Sequence, residues 1–399
     1  MTSLAGQLGL KSQGIPVLKD VLLWTNLLVS GKKRASKVGD LTDPGIAVSS
    51  GLPVLPDQSH LHRFLKRPAT NRADRFIRAI GHRQYRIGQV NGDIISFDSH
   101  LIPYHGKTDI QKDVDGKSPV PFKAIKAHAV LDQKYRNPVY LMARYPGKTA
   151  VEIGDDLMDA SMEIIPDKKI LFTMDRWFSV GELLDHIRQK GQRFITLIRR
   201  HQKRIREMER IPLESFRKMT DKQGVTSIKT RLRNYNGSIR LVVVEDLTEG
   251  IRTYYGYIIN DDHLSEEEVI RTYSGRWGIE TWFNECSFLG INHLPSIELN
   301  EVTMHLGMNL IAYNVISAFR ANLGEPFIPM NAETISEKFF KEQALIKLRN
   351  DQITVTIYGH RYKEILEPLY DNLDSKLTAK DIDPKIPWLN DHTLKFLFK

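Results

Sequence analysis

Three acidic residues, Asp98, Asp175 and Glu280, have the best claim to chemistry in this chain. Asp98 ends the apolar run Asp93-Ile-Ile-Ser-Phe-Asp98, and Asp175 ends a second one, Ile170-Leu-Phe-Thr-Met-Asp175. Glu280 lies in RTYSGRWGIETWFNE, from Arg271 to Glu285. Carboxylates at strand ends sit where mixed α/β sheets favour ligand sites. Hard divalent cations take oxygen ligands and keep waters, so three carboxylates suit one or two Mg²⁺ ions with positions open to a phosphate. Two such ions activate an attacking oxygen and stabilise a leaving one in an in-line displacement at phosphorus. If Arg271 to Glu285 is one helix, Tyr273, Arg276 and Glu280 fall at i, i+3 and i+7. One face then offers a hydroxyl, a fixed cation and a carboxylate to a polyanion and a metal together.

Each of these residues also has a plain structural reading. An Asp at a strand end is a common turn former, and Glu280 can pair with Arg276 along the helix, in the weaker orientation for such a pair. A zinc site from His100, His105 and His128 is the other metal reading, though that spacing fits no compact motif.

The elements that must position the carboxylates read as β-β-β-α-β-α-β. Strands are expected at 93–98, 122–131 and 138–144, a helix over 150–164, a strand at 170–175, a helix opened by a capping box at Ser179 and Glu182 and closed at Gly191, and a strand at 194–199. No helix follows at once. A strand-rich stretch from about 200 to 259 intervenes, and a second capping box, Ser265 with Glu268, launches the helix that carries Glu280. Ahead of this core, the first ninety residues read as helical. Asp57 precedes one amphipathic run, Pro68 ends it and Asn71 can cap the next, with His60, His62, Arg63, Lys66, Arg67, Arg72, Arg75 and Arg78 around them. This pair fits a helix-turn-helix and a simple helical cap equally well. Behind the core, a strand from Gln352 to Tyr358 and an amphipathic run from Tyr362 to Leu369 carry no recognisable chemistry.

Charge is concentrated. From His186 to Arg240 there are sixteen Lys or Arg against four Asp or Glu, a surplus of twelve in a chain whose net charge is +9, so the remainder is net negative. A local positive field of this kind suits a polyanionic partner, and a solvated charged face is the alternative. Within it, Asn236-Gly237 between alternating runs predicts a two-residue hairpin turn. Tyr235 then faces Ser238, Arg233 faces Arg240 and Arg231 faces Val242. Lys229, Arg231, Arg233 and Arg240 share a face expected to track a DNA backbone, with Ile228, Leu232, Ile239, Leu241 and Val243 on the other.

Composition sets broader bounds. A chain of 399 residues with 41% apolar content can bury a large core and form two or three domains. Its single cysteine, Cys286, excludes an intrachain disulfide framework and a Cys-built zinc site and suits a reducing compartment. The N-terminus lacks a signal-peptide layout. The most apolar run, Val302 to Phe319, is broken by His305, Asn309 and Asn314 and reads as a core helix, so no membrane association is expected.

The segment Tyr273, Ser-Gly, Arg276, Trp-Gly-Ile, Glu280 resembles the C-terminal signature of DDE transposases of the insertion-sequence-four type. FDSHLIPYHGK with Asp98 and MDRWF with Asp175 are similar to that family's first and second carboxylate motifs, and the likeness runs from about Gly92 to Leu323. The resemblance implies an α/β fold with an RNase H-like mixed sheet, split over 91–199 and 260–325. A β-rich insertion domain would occupy 200–259, an N-terminal helical DNA-binding region 1–90 and a small α+β region 326–399. It implies Mg²⁺ or Mn²⁺ at Asp98, Asp175 and Glu280, with Tyr273 and Arg276 on the DNA. It further implies cleavage of terminal inverted repeats in double-stranded DNA, strand transfer into target DNA by a 3′-hydroxyl, a homodimer holding two ends, and a cytoplasmic, nucleoid-associated prokaryotic setting. Two features depart from the family. Ser287 stands where many members carry a Lys seven residues after the Glu, and no Trp lies between Trp177 and Trp277 to stack a flipped base, leaving Tyr235, Tyr254 or Tyr255 for that role. A DNA-binding protein without catalysis, and an RNase H-like nuclease without strand transfer, are the rival functions.

Overall fold

The computed structural model describes residues 1–41, 44–115 and 118–399. In chain order the first helices are α1 (Thr2–Gln7), α2 (Val17–Val29), α3 (Gly45–Ser49), α4 (Gln58–Lys66) and α5 (Thr70–Arg86). Then come β1 (Ile94–Pro103), β2 (Lys112–Asp115), β3 (Ser118–Asp132), β4 (Pro138–Arg144), α6 (Ala150–Ile164), β5 (Leu171–Met174), α7 (Gly181–Gln189) and β6 (Arg193–Leu197). The basic stretch forms α8 (Gln202–Glu209), β7 (Arg217–Lys218), β8 (Gln223–Thr230), β9 (Ile239–Thr248) and β10 (Ile251–Ile259). It leads into α9 (Glu266–Ser274), α10 (Trp277–Phe288), α11 (Leu299–Leu323) and α12 (Ala332–Phe339). The chain closes with β11 (Ala344–Arg349), β12 (Gln352–Ile357), α13 (Lys363–Tyr370), α14 (Leu373–Thr378) and β13 (Thr393–Phe398). The fold is thus mixed α/β, with one large mixed sheet, one small sheet and many helices.

Two compact units result: Met1–Phe76 with Asn284–Lys399, and Ile77–Phe283. In the first, Asp57 caps α4 by accepting from the His60 N–H at 2.7 Å, as its position predicts. Asn71 does not cap the next helix. The chain is already helical at Thr70, with the amides of Arg72 and Ala73 bonded to the Ala69 carbonyl. Several cations of this region are drawn into internal contacts: His60 with Asp20 at 2.6 Å, Arg67 with the Lys11 carbonyl, and Arg72 with the Gly9 carbonyl at 2.9 Å. The long helix α11 is long and apolar enough to cross a membrane, and 72% of its most apolar window is buried in the structure. The small sheet runs β11-β12-β13, with Tyr370 of α13 tilted on the ring of Phe396 at 4.8 Å.

The second unit holds the large sheet, ten strands among the described residues, in the order β2-β3-β1-β5-β6-β10-β9-β8-β7 with β4 on β3. β1 is antiparallel to β3 and parallel to β5, and β5 is parallel to β6. All four residues of β5 are buried, as a strand covered on both faces requires. The helix over 150–164 forms as expected, closed at its start by a reciprocal capping box between Thr149 and Glu152. The capping box expected at Ser179 does not form. Ser179 instead ends the 3₁₀ turn Arg176–Phe178, and α7 starts after Val180 without a side-chain cap.

The 200–259 stretch continues the sheet: Tyr257 of β10 pairs antiparallel with Leu197 of β6. Its hairpin differs from the expected one. Thr230 faces Ile239 and Lys229 faces Arg240, so residues 231–238 leave the ladder and Arg233 does not oppose Arg240. The reason is burial of Tyr235. Its ring packs edge-on to Phe194 at 6.3 Å and lies 5.8 Å from the Arg188 guanidinium, while the Asn236 N–H donates to Asp185 at 3.1 Å. Gly181 admits this loop, since a Cβ there would stand 2.0 Å from the Arg233 carbonyl oxygen. A core of Leu171, Ile195, Val242, Val244, Tyr257 and Ile259 then joins the two parts of the sheet and receives Val269 and Tyr273 of α9.

Tyr235→Ala should therefore cost about 2–4 kcal/mol in urea unfolding, the range for emptying a buried aromatic site. A loss below about 0.5 kcal/mol, the size of an ordinary surface change, would mean that the loop is not held by this ring.

Candidate active site

Parallel pairing of β1 with β5 sets Phe97 beside Met174, so the next residues, Asp98 and Asp175, adjoin where that pairing stops; β5 ends there, whereas β1 runs on to Pro103 with Asp98 inside it opposite Ala129 of β3, which corrects the strand end expected at Asp98. Each carboxylate is steadied by local backbone. Asp98 accepts from the Ser99 N–H at 2.8 Å, and Asp175 accepts from the Trp177 N–H at 3.0 Å, capping the 3₁₀ turn that follows it. The Asp175 carbonyl accepts from Thr196 Oγ1 at 3.0 Å, and Arg199 donates to the carbonyls of Arg176 and Trp177 at 3.3 and 2.7 Å. Both carboxyls have raised pKa values because burial disfavours their charge. Asp98 is pushed up to about 6, the Arg276 guanidinium opposing the rise and Asp175 adding to it.

Tyr273, Arg276 and Glu280 do not lie on one continuous helix. The capping box of Ser265 and Glu268 opens α9 as expected, but α9 stops at Gly275 and α10 restarts at Trp277. The joint is a tight step in which the Arg276 N–H donates to the Tyr273 carbonyl at 2.9 Å. Gly275 lets Gln133 sit close, since a Cβ there would stand 2.4 Å from Gln133 Oε1 and push that side chain aside. Gln133 in turn donates to Ser96 Oγ at 3.0 Å and Thr173 Oγ1 at 2.7 Å, bonding the joint's seat to both β1 and β5.

The break aims Arg276 across the site. Its Nη1 donates to Asp98 Oδ2 at 2.8 Å and its Nη2 to Glu280 Oε1 at 2.7 Å, while the Tyr273 ring lies 5.7 Å away. Arg276 is 8% exposed, and its pKa is raised, the pull of Asp98 and then of Tyr273 and Glu280 outweighing the effect of burial. The Tyr273 hydroxyl and Arg276 Nε are buried without a hydrogen-bond partner. Two carboxylates of the expected trio are thus bridged by a guanidinium. Among the described residues no set of three His, Cys, Asp or Glu is grouped to hold a metal ion, and at this site Arg276 occupies one oxygen of Asp98 and one of Glu280. The hard oxygens of Asp98 and Asp175 fit a divalent cation, which would supply the positive charge that their burial and mutual repulsion call for.

Other expected residues fall elsewhere. His128 is buried, with Nδ1 at 2.7 Å from Ser99 Oγ and its pKa lowered by burial to about 3; His100 stacks on Phe283 at 4.8 Å, and His105 is exposed, so the three do not gather around zinc. Arg240 is committed to Glu266 at 2.9 Å, Ser227 and the Leu264 carbonyl, which removes it from the expected DNA-facing set. Lys229, Arg231 and Arg233 are exposed, the last two in the 231–238 loop. Tyr235 and Tyr254 are buried. Sequence reasoning missed Gln133, Arg199 and Trp277, whose indole is 63% exposed beside Arg276. Only the adjacency of Trp277 to Arg276 was visible beforehand.

Residues 91–315 match the family of the transposase DDE domain, more than half of the chain, and the protein belongs to the DDE transposase family. No match is found among curated proteins. Among solved structures it is similar to a piggyBac transposase synaptic complex with hairpin DNA, at 13% identity and a TM-score of 0.47, over 84% of this chain and 74% of that one. A Mos1 transposase paired-end complex with left transposon end matches at 16% identity and a TM-score of 0.19, over 46% of this chain and 60% of that one.

The raised Asp98 carboxyl has a measurable consequence. Its folded pKa of about 6 exceeds the ordinary 3.8, so the folded protein holds that proton more tightly than the unfolded chain does. The stability it confers is complete below about pH 4 and is lost as pH rises through 6. Relative to wild type, Asp98→Asn should therefore gain roughly 1–3 kcal/mol on going from about pH 4 to pH 7, in urea unfolding with EDTA. An equal difference at both pH values would show that Asp98 titrates normally.

Proposed function

We propose that the chain is a DNA transposase of the insertion-sequence-four type that cleaves transposon ends and joins their 3′-hydroxyls to target DNA. The observation that carries this reading is the meeting of Asp98, Arg276 and Glu280 beside Asp175, where the parallel pairing of β1 and β5 stops, within the segment that matches the family. Asp98, Asp175 and Glu280 are the residues that would hold Mg²⁺ or Mn²⁺, with two ions in view. Bound there, such ions activate the attacking oxygen and stabilise the leaving one.

The chain's own groups orient and neutralise. Arg276 holds Asp98 and Glu280 in place and carries the fixed charge that a scissile phosphate needs, in a planar fork suited to oxyanions. The Tyr273 hydroxyl and Arg276 Nε are buried, so a phosphate oxygen would reach them only if the guanidinium moves from its carboxylates. The partners of this activity are duplex DNA bearing terminal repeats, target DNA and a second copy of the chain holding the other end, in a prokaryotic cytoplasm. Ser287, where many insertion-sequence-four members have a Lys, takes a hydrogen bond from Asn292 at 2.7 Å and brings no charge, so the grip on the ends rests on other cations.

Incubation with end-bearing duplex, target plasmid and Mg²⁺, followed by sequencing, should yield joined products. Cleavage without joining would instead mark a nuclease, and binding without cleavage a DNA-binding protein. Asp175→Ala should bring cleavage to background while duplex affinity stays within about threefold, since affinity comes mainly from phosphate contacts. Arg276→Lys should impair cleavage because an ammonium cannot copy the fork that spans two carboxylates. Wild-type cutting by that variant would return Arg276 to a structural ion pair.

A further inference from the structure

The basic stretch that the sequence singles out is not absorbed by the site above, and much of its charge is neutralised. Arg193 pairs with Asp261, Arg217 with Glu267 and Arg240 with Glu266. Of the cations left without an ion pair among the described residues, five gather at one place, while Arg199, Arg200, Lys222 and Arg233 lie outside it. An open groove of about 900 Å³ lies between α8 and the region where β8 ends and β9 begins. Lys203, Arg206 and Arg210 line one side at i, i+3 and i+7, one helix face, and Lys229 and Arg231 line the other. All five are exposed and none has an ion-pair partner among the described residues.

The groove is braced from within. Arg204 donates to Glu207 at 2.5 Å, to Thr230 Oγ1 at 2.7 Å and to the Arg231 carbonyl at 2.5 Å, tying α8 to the end of β8. Glu207 is the one carboxylate in the lining, and both its oxygens are taken, one by Arg204 and the other by Thr230 Oγ1 at 2.7 Å. It therefore cannot neutralise the five outer cations, which repel one another until an anion arrives. The lining holds hydroxyls at Thr230 and Ser238 and no aromatic ring, so it offers donors to phosphate oxygens and nothing for a base to stack on.

We infer that this groove is a binding site for the phosphodiester backbone of duplex DNA, read without regard to sequence. The inference rests on the proposed DNA-transposing function for its choice of polyanion. An open groove with cations on both walls admits a continuous strand, whereas a free polyphosphate carries the same chemistry and must be separated by experiment. The site uses Lys229 and Arg231 of the face expected from sequence but replaces Arg233 and Arg240 with the α8 cations.

The test is the salt dependence of binding to a random-sequence duplex, followed by fluorescence anisotropy in EDTA. The variant K203Q/R210Q/K229Q/R231Q should make the slope of log affinity against log salt shallower by about 3, four phosphate contacts at about 0.9 each being the ceiling. The half variants K203Q/R210Q and K229Q/R231Q should each give about half of that change, and they keep the test usable if the full variant folds poorly. A control that removes equal charge elsewhere, K347Q/R349Q/K380Q/K385Q, should leave the slope near wild type. Groove variants no different from the control would overturn the inference. Loss of polyphosphate binding with duplex binding intact would overturn it in favour of a free polyphosphate. The outcomes separate from those of the joining assay. A wild type that loses its slope in the groove variants yet never cleaves refutes the proposed enzyme alone. One that cleaves and joins while the slope is unmoved refutes the groove alone.

Discussion

Two carboxylates set side by side and partly buried on adjoining strands repel each other and lose hydration, and a cation must compensate. In this protein the parallel register of β1 and β5 creates that demand at Asp98 and Asp175, and the guanidinium of Arg276 answers it. Much of the surrounding architecture follows. Arg276 reaches Asp98 and Glu280 because the chain breaks between α9 and α10, and the break seats closely because Gly275 lets Gln133 approach. Gln133 is itself bonded to Ser96 and Thr173 on the two strands that bear the aspartates. The strand pair, the joint and the guanidinium form one connected polar unit, and a change in any part is felt at the carboxylates.

The strands of the basic stretch have a structural part in this arrangement. β10 pairs with β6, and the residues that receive Val269 and Tyr273 of α9 come from β5 and β6 on one side and from β8, β9 and β10 on the other. Helix α9, which leads into the joint that bears Arg276, therefore rests on the inserted strands as much as on β5 and β6. Tyr273 takes part in both roles, its ring 5.0 Å from that of Tyr257 in the core and its hydroxyl buried toward the site without a partner. The same stretch divides its charge between ion pairs such as Arg240 with Glu266, which hold the insert to the start of α9, and the free cations along α8 and the end of β8.

Periodicity and capping chemistry act over a few residues, and what depended on them was legible. The helix over 150–164, the strand over 138–144, the cap at Asp57 and the box at Ser265 and Glu268 all formed where local pattern placed them. Asp175 follows the last residue of its strand as expected, but Asp98 lies inside β1, whose pairing with β3 carries that strand on to Pro103. The hairpin turn at Asn236-Gly237 failed for a tertiary reason. Local turn chemistry is worth about 1 kcal/mol or less, and burying the Tyr235 ring against Phe194 and Arg188 outweighs it. Slipping the ladder moved Arg233 into a loop and set Arg240 against Lys229, where Ser227 and Glu266 hold it.

The sequence by itself determined the mixed α/β class, most of the elements of the large sheet, and the residue types and spacing that mark Asp98, Asp175, Arg276 and Glu280 as candidates for one site. These depend on covalent order and short-range pattern, which a sequence displays directly. Tertiary structure alone decided that Arg276 bridges Asp98 and Glu280, that Gly275 breaks the helix over Gln133, and which cations of the basic stretch remain free. Each of those outcomes turns on partners tens to hundreds of residues apart, Asp98 and Arg276 being separated by 178 positions. Their pairing energies arise only after the sheet has brought them together, so no local pattern in the chain carries them.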